Sequence, residues 1–253
     1  MTEVATYAPG TPLWVDLGSP DLDASRAFYG SLFGWEAPPS PPEAGGYTMF
    51  LLNGKMVAGL GPLMSPDQPP AWSTYIATDD ADDTARRVRE AGGQVIVEPM
   101  DVLDAGRMAV FVDPTGAFFS VWQPGQHQGA DLVNEPNTFC WNELDTRNLP
   151  AAKDFYRHVF NWEGESSEQY TEWKLNGRSI AGAMEMGDQI PANVPPYWLT
   201  YFAVEDCGAT VAKAQSLGGQ VVVPSTDTPM GPFAVLSDPQ GAVFAVIAMQ
   251  QGA

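Results

Sequence analysis

The passage WVDLGSPDLDASRAFYGSLFGW, residues 14–35, returns as WNELDTRNLPAAKDFYRHVFNW at residues 141–162. The echo continues along the chain. Phe28-Tyr29 matches Phe155-Tyr156, and Leu52-Asn53-Gly54 matches Leu175-Asn176-Gly177. Trp72 and Tyr75 match Trp198 and Tyr201, GGQV occurs at 92–95 and 218–221, and Asp113-Pro114 matches Asp238-Pro239. Order is kept while the offset drifts only between 127 and 123, as small loop insertions would produce. Self-similarity on this scale restricts the chain to two homologous halves. We place them at 10–125 and 137–249. The joining stretch PGQHQGADLVNEP is polar and rich in Gly and Pro, the composition of a linker.

Each half divides again. PLWVDL reads as a strand, and Ser19-Pro20 as an N-cap with proline in the first turn of a helix. Leu22, Phe28 and Leu32 give that helix an apolar stripe. Strands follow around YTMFLLNG and MVAGLGPLM, joined by the hairpin signal Asn53-Gly54. The pattern then restarts: WSTYIAT is a strand, DDADDTARRVREAGG a helix closed by Gly-Gly, and QVIVEP, GRMAVFVDP and AFFSVWQ are strands. Each half is therefore βαβββ–βαβββ, and the fold class is α+β.

A formal net charge of −19 disfavours nucleic acid and anionic membranes as partners and suits a soluble surface. The first residues carry neither a basic nor an apolar leader segment, and no apolar run approaches the ~18 residues of a membrane span, so a cytoplasmic protein is expected. Cys140 and Cys207 form no C-x-x-C and are expected as free thiols. Of the two histidines, His127 falls in the joining stretch and His158 on the helix bearing Phe155-Tyr156, so no Ser-His-Asp triad is expected. Dinucleotide, P-loop, H-E-x-x-H and G-x-S-x-G motifs are absent.

Three recurring motifs carry a family resemblance: F-Y-x-x-[LV]-F-[GN]-W along and just after the first helix, G-G-x-V after the second, and D-P-x-G before the last strand. With all three in order in both halves, the chain resembles the vicinal oxygen chelate superfamily of glyoxalase I, bleomycin-resistance proteins and extradiol dioxygenases. More narrowly, it is similar to two-domain glyoxalase-like proteins described as hydroxylases, some of them associated with antibiotic biosynthesis. The resemblance implies two tandem domains, each curling eight strands into a cup with helices outside. It also implies four metal-ligand places per half, usually His, Gln or Glu. Aligned on the motifs, these fall on Trp14, Gly59, Ser73 and Ser120, and on Trp141, Gly182, Leu199 and Ala245. None is a usual ligand beyond weak serines, so neither a catalytic metal nor another cofactor is expected.

Strand alternation puts Asp16 on the same face as Trp14, and Glu143 on that of Trp141. A carboxylate facing inward beside an indole is partly desolvated and can serve as a general acid or base. It can equally cap a turn or pair with an amide or an arginine. The first cup should also present Ser73, Tyr75, Phe118, Ser120 and Trp122. The second presents Tyr201, with Leu199, Ala245 and Ile247 replacing polar or aromatic residues. Arg107 stands where the other half has Pro232, placed either to hold an anionic ligand group, to neutralise Asp16, or simply on the surface. The expected catalytic set is Asp16, Tyr75 and Ser120. The expected ligand contacts are Trp14, Ser73, Arg107, Phe118, Trp122, Trp141, Glu143 and Tyr201, with the working site in the first half.

Three functions fit. One is a metal-free enzyme acting on an aromatic, polyketide-like molecule by proton transfer, hydration, cyclisation or assistance to hydroxylation. Another is a binding protein that sequesters a planar drug or metabolite. The third is a structural protein whose cups are filled by its own side chains. The expected partner is a small molecule, and the fused halves are expected to give a monomer or a weak homodimer.

Overall fold

The computed structural model describes residues 4–167, 170–188 and 190–250. In the first half β1 (Pro12–Ser19) leads to α1 (Leu22–Phe33), β2 (Thr48–Leu52) and β3 (Lys55–Pro62). The second unit has β4 (Ala71–Ala77), α2 (Ala81–Glu90), β5 (Gln94–Val102), β6 (Gly106–Val112) and β7 (Phe118–Pro124). The second half repeats this with β8 (Phe139–Thr146), α3 (Leu149–Phe160), β9 (Glu163–Ser166), β10 (Thr171–Leu175) and β11 (Arg178–Glu185). It closes with β12 (Tyr197–Ala203), α4 (Cys207–Ser216), β13 (Gln220–Thr226), β14 (Phe233–Ser237) and β15 (Val243–Ile247). One sheet runs β2-β3-β1-β4-β7-β6-β5 and the other β13-β14-β15-β12-β8-β11-β10-β9, so each half is one mixed sheet in an α+β fold.

Two local expectations change. Against the eight strands expected per half, the first sheet has seven among the described residues. The missing strand falls on EAPPSPPEAGG, where Pro38, Pro39, Pro41 and Pro42 have no N–H to give a ladder, and a single bridge from Glu36 to Leu51 remains. The cap of α1 is Asp21, whose carboxylate accepts from the N–H groups of Asp23 and Ala24, rather than Ser19. The Ser19 hydroxyl instead donates to Gln240 of the other half, 2.9 Å away.

That contact belongs to a larger exchange. The aromatic face of α1 packs on the second half's sheet, with Phe33 5.3 Å from Phe202 and Tyr29 5.6 Å from Phe244. The face of α3 packs on the first half's sheet through Phe155 and Tyr156 against Phe119. The Tyr29 hydroxyl donates to Asp238 at 3.1 Å, and the Tyr156 hydroxyl to Asp113 at 3.0 Å. Each of those tyrosines also accepts from an indole of its own half, Trp72 or Trp198. The Phe-Tyr motif of each half is thus seated on the Asp-Pro-x-Gly turn of the other. Those turn aspartates hold their own loops as well, Asp113 accepting from the N–H groups of Thr115, Gly116 and Ala117. Burying these rings, at about 1.5–3 kcal/mol each, joins the halves into one core.

The joining stretch is not a free tether. Ala130 donates to the Leu13 carbonyl at 2.9 Å, Asp131 pairs with Met56 in both directions, and Ala130, Leu132 and Val133 are buried. Compositional polarity concealed this, because the apolar residues are interleaved with Gln, Gly and Asp. Cys140 and Cys207 are free.

Candidate functional site

In the first cup, β1 sits between β3 and β4, and Asp16 lies directly between Gly59 and Ser73 in register. The next row along the same face is Trp14, Tyr75 and Ser120. The backbone therefore brings Asp16, Trp14, Ser73, Tyr75 and Ser120 onto one patch. Tyr75 donates to Asp16 Oδ2 at 2.9 Å, and Tyr47 donates to the same oxygen at 3.2 Å. Tyr47 in turn accepts from the Trp14 indole at 3.0 Å. The Ser73 hydroxyl also supports the carboxylate, and Ser120 supports Tyr75. Burial pushes the Asp16 carboxyl up to about 6, and the hydroxyl donors hold it from rising further. The same burial, with the nearby carboxylate, pushes both tyrosines well above their ordinary value. Asp16 and Ser73 keep partial exposure, whereas Trp14, Tyr75, Ser120 and Trp122 form a buried floor.

Tyr47 was not singled out from the sequence, yet it completes the cluster. Its place depends on Gly59: a Cβ there would lie 2.0 Å from the Tyr47 hydroxyl and 2.8 Å from the Asp16 Cβ. The duplication held the signal, since Tyr47-Thr48 recurs as Tyr170-Thr171 at the same offset as the Asn-Gly hairpins. The second cup repeats the arrangement. Trp141 donates to Tyr170 at 2.8 Å, Tyr201 donates to Glu143 Oε1 at 2.9 Å, and Tyr170 also hydrogen-bonds Glu143. A Cβ on Gly182 would lie 1.8 Å from the Tyr170 hydroxyl. Each repeat thus opens on a tryptophan and an acid because the two are joined through a tyrosine hydroxyl.

His127, assigned to the joining stretch, packs into the floor of the first cup. Its ring meets Trp14 edge-on at 4.4 Å and Trp122 at 5.5 Å, and its carbonyl accepts from the Trp122 indole. It is 8 % exposed, neither ring nitrogen has a partner, and burial lowers its pKa to about 4. Position in a polar stretch gave no cue to this.

One expected contact lies outside the first cup and another at its edge. Arg107 is on the helix-bearing face of β6, paired with Asp82 at 2.8 Å and Asp101 at 2.9 Å rather than with Asp16. Strand parity explains this, since Met108, not Arg107, shares the face of Trp122. Phe118 is 60 % exposed and stands at the edge of the cup rather than in its wall. A cleft of about 730 Å³ between the ends of α2 and α3, lined by Pro114, Phe155, Arg157 and His158, lies away from both cups. It gathers none of the buried acids or tyrosines, and volume alone does not make it the chemical site.

The four family ligand places lie together on each cup face, but their donors do not suit a divalent ion. In the first cup they offer an indole, no side chain, and two hydroxyls, and the space above Gly59 is filled by Tyr47. Among the described residues no group of three or more His, Cys, Asp or Glu is gathered. No helix among them is long and apolar enough to cross a membrane.

Comparison with known proteins gives this architecture its relatives. The profile of the Glyoxalase/Bleomycin resistance protein/Dioxygenase superfamily matches residues 11–121 and again 138–246. The anthracycline biosynthesis protein DnrV of Streptomyces peucetius is 44 % identical over 265 residues, covering 97 % of this chain and 96 % of its own. CFP32 of Mycobacterium tuberculosis (strain CDC 1551 / Oshkosh), which carries a provisional glyoxylase name, is 45 % identical over 258 residues, covering 98 % of each chain. Among solved structures, the Mn(II)-bound glyoxalase from Novosphingobium aromaticivorans superposes with a TM-score of 0.67 at 18 % identity, covering 95 % of this chain and 82 % of that one.

Proposed function

Because the chain belongs to the Glyoxalase/Bleomycin resistance protein/Dioxygenase superfamily over both halves, we propose that it binds a planar, polyketide-like aromatic molecule in its first cup and works there without a metal. The observation that carries this reading is the Asp16 carboxyl, partly exposed, held by two tyrosine hydroxyls, with a pKa near 6. Such a group exchanges protons close to neutral pH, as a general acid or base for a phenol or an enolisable ketone must. Phe118 at the cup's edge offers a flat face for stacking, and Ser73 a hydroxyl beside the acid. The relationship to a protein named for anthracycline biosynthesis supports a fused-ring aromatic as the ligand class. Acid–base tailoring, or assistance to a hydroxylation, is the reaction this acid suits. The metal-free part rests on the donor chemistry of the four ligand places.

A second reading, sequestration without turnover, is favoured by one specific feature. The same Trp–Tyr–acid–Tyr cluster is built in both cups, which recognition can use twice and a single catalytic centre does not require. Fluorescence titration with a hydroxyanthraquinone such as alizarin locates the site. Ser73→Trp should abolish saturable quenching and Leu199→Trp should leave it intact; the reverse result moves the ligand to the second cup. With a binder in hand, Asp16→Asn separates the readings: an enzyme loses turnover and keeps binding, whereas a sequestering protein shows no turnover in either form. The mutual packing of the halves supports a monomer, which sedimentation equilibrium tests.

A further inference from the structure

The second cup contains an acid that the first cup lacks. Alternation along β8 puts Asp145 on the face of Trp141 and Glu143. Its counterpart in the first half is Gly18. Across the ladder, Gly18 faces Ala71 while Asp145 faces Tyr197. The two halves therefore differ at both members of one cross-strand pair, and the second cup has a carboxylate and an aromatic ring at this point.

Among the described residues these carboxylates have no counter-ion. Glu143 is 6 % exposed and Asp145 2 %. Arg147, next on that face, donates to the carbonyls of Ile190, Pro191 and Val194 instead. Among the described residues the titratable groups facing them are the hydroxyls of Tyr170 and Tyr201 at Glu143 and of Tyr197 at Asp145. Asp145 Oδ1 is nevertheless buried without a hydrogen-bond partner. Desolvation raises both acids, and the neighbouring Glu143 carboxylate raises Asp145 further. Two adjacent buried carboxylates ionise together only when a cation joins them.

We infer that the second cup binds an organic cation, a protonated amine on an apolar body, with its ammonium group between Glu143 and Asp145 and one N–H directed at Asp145 Oδ1. An ammonium offers three donors to this set of acceptors. The half-exposed rings of Trp141, Tyr170 and Tyr197 attract a cation, and the half-exposed Val243 and Ile247 supply apolar wall for its body. Two carboxylates without a third ligand suit an ammonium better than a metal ion. The inference concerns the other cup and stands independently of the aromatic ligand proposed for the first.

Phenethylamine is a suitable probe, with phenethyl alcohol as its neutral match. Calorimetry and thermal denaturation of the full chain at pH 7 should show saturable binding of the amine and none of the alcohol. Binding should release close to one proton, read from buffers of different ionisation enthalpy, because the shared proton leaves the pair. Asp145→Asn should weaken the amine at least tenfold, and Glu143→Gln provides the same test should the first variant fail to fold. Asp16→Asn should bind it unchanged, which separates this result from any failure at the first cup. Equal binding of amine and alcohol, no binding of the amine, or wild-type affinity in the folded carboxylate variant each overturns the inference and leaves a proton-sharing structural pair.

Discussion

Replacing Asp16 by Asn removes a desolvated carboxyl while keeping an oxygen that can still accept from Tyr47 and Tyr75. In the folded wild type this acid holds its proton up to about pH 6, whereas in the unfolded chain it releases it near 3.8. Between those values the folded state binds more protons, so its stability contribution is complete below 3.8 and is lost as pH rises through 6. A tenfold change in proton affinity between the two states corresponds to about 1.4 kcal/mol, giving a cost of about 3 kcal/mol at pH 7 for full desolvation and about 2 kcal/mol for a group with some solvent access. The Asn variant lacks this cost. It should match wild type near pH 3.5 and exceed it at pH 7–8 by about 2–3 kcal/mol, or roughly 4–10 °C for a chain of this size. Denaturation of both proteins from pH 3.5 to 8 gives the difference directly, and other titrating groups, including the Glu143–Asp145 pair, cancel. A difference that is flat with pH, or that grows toward acid, means Asp16 is not held as an uncharged acid, and the proposed proton chemistry loses its basis.

His127→Phe should give the opposite slope. A folded pKa near 4 against an ordinary 6.5 gives stability that is present above 6.5 and lost as pH falls through 4, by about 3 kcal/mol, and the Phe variant should escape that loss in acid denaturation. In the wild type the His127 and Asp16 slopes oppose each other between pH 4 and 6, so its own pH profile should be shallow there. Gly59→Ala should displace Tyr47 and destabilise by about 1–3 kcal/mol, with altered Trp14 fluorescence, and adding Tyr47→Ala should recover part of the loss. Tyr156→Phe leaves one oxygen of Asp113 and the Trp198 indole without their partner and should cost about 1–3 kcal/mol in urea denaturation, with a single transition still reporting both halves.

Much of the scaffold was legible because repetition doubles every signal. Both hairpin turns, the Gly-Gly helix ends and the register of Trp14 with Asp16 follow from local chemistry that appears twice. The seven-stranded sheet was not, because reading four equal units overrode the prolines at 38–42 that forbid a strand. The site was legible only along single strands. Asp16, Tyr75, Ser73 and Ser120 converge as alternation requires, and Arg107 departs because a one-residue shift in parity moves a side chain to the other face. Tyr47 and His127 reach the cup from outside its central strands, and no strand periodicity reports on residues delivered by a loop and a connector. The seating of each Phe-Tyr helix on the opposite half was equally hidden, since identical repeats do not say which copy pairs with which.

That exchanged seating sets the order of events during synthesis. Tyr29 meets Asp238 and Phe33 meets Phe202, so the apolar face of the first helix, though Trp72 and Phe50 of its own half touch it, lacks the rest of its cover until the second half is made. A nascent chain that has emitted only its first half therefore exposes a row of aromatic rings. The contacts that cover those rings have long sequence separation, which slows their formation. A fragment ending near residue 125 should accordingly be sticky or pair with a second copy of itself, whereas supplying the missing half in trans should restore a soluble pair.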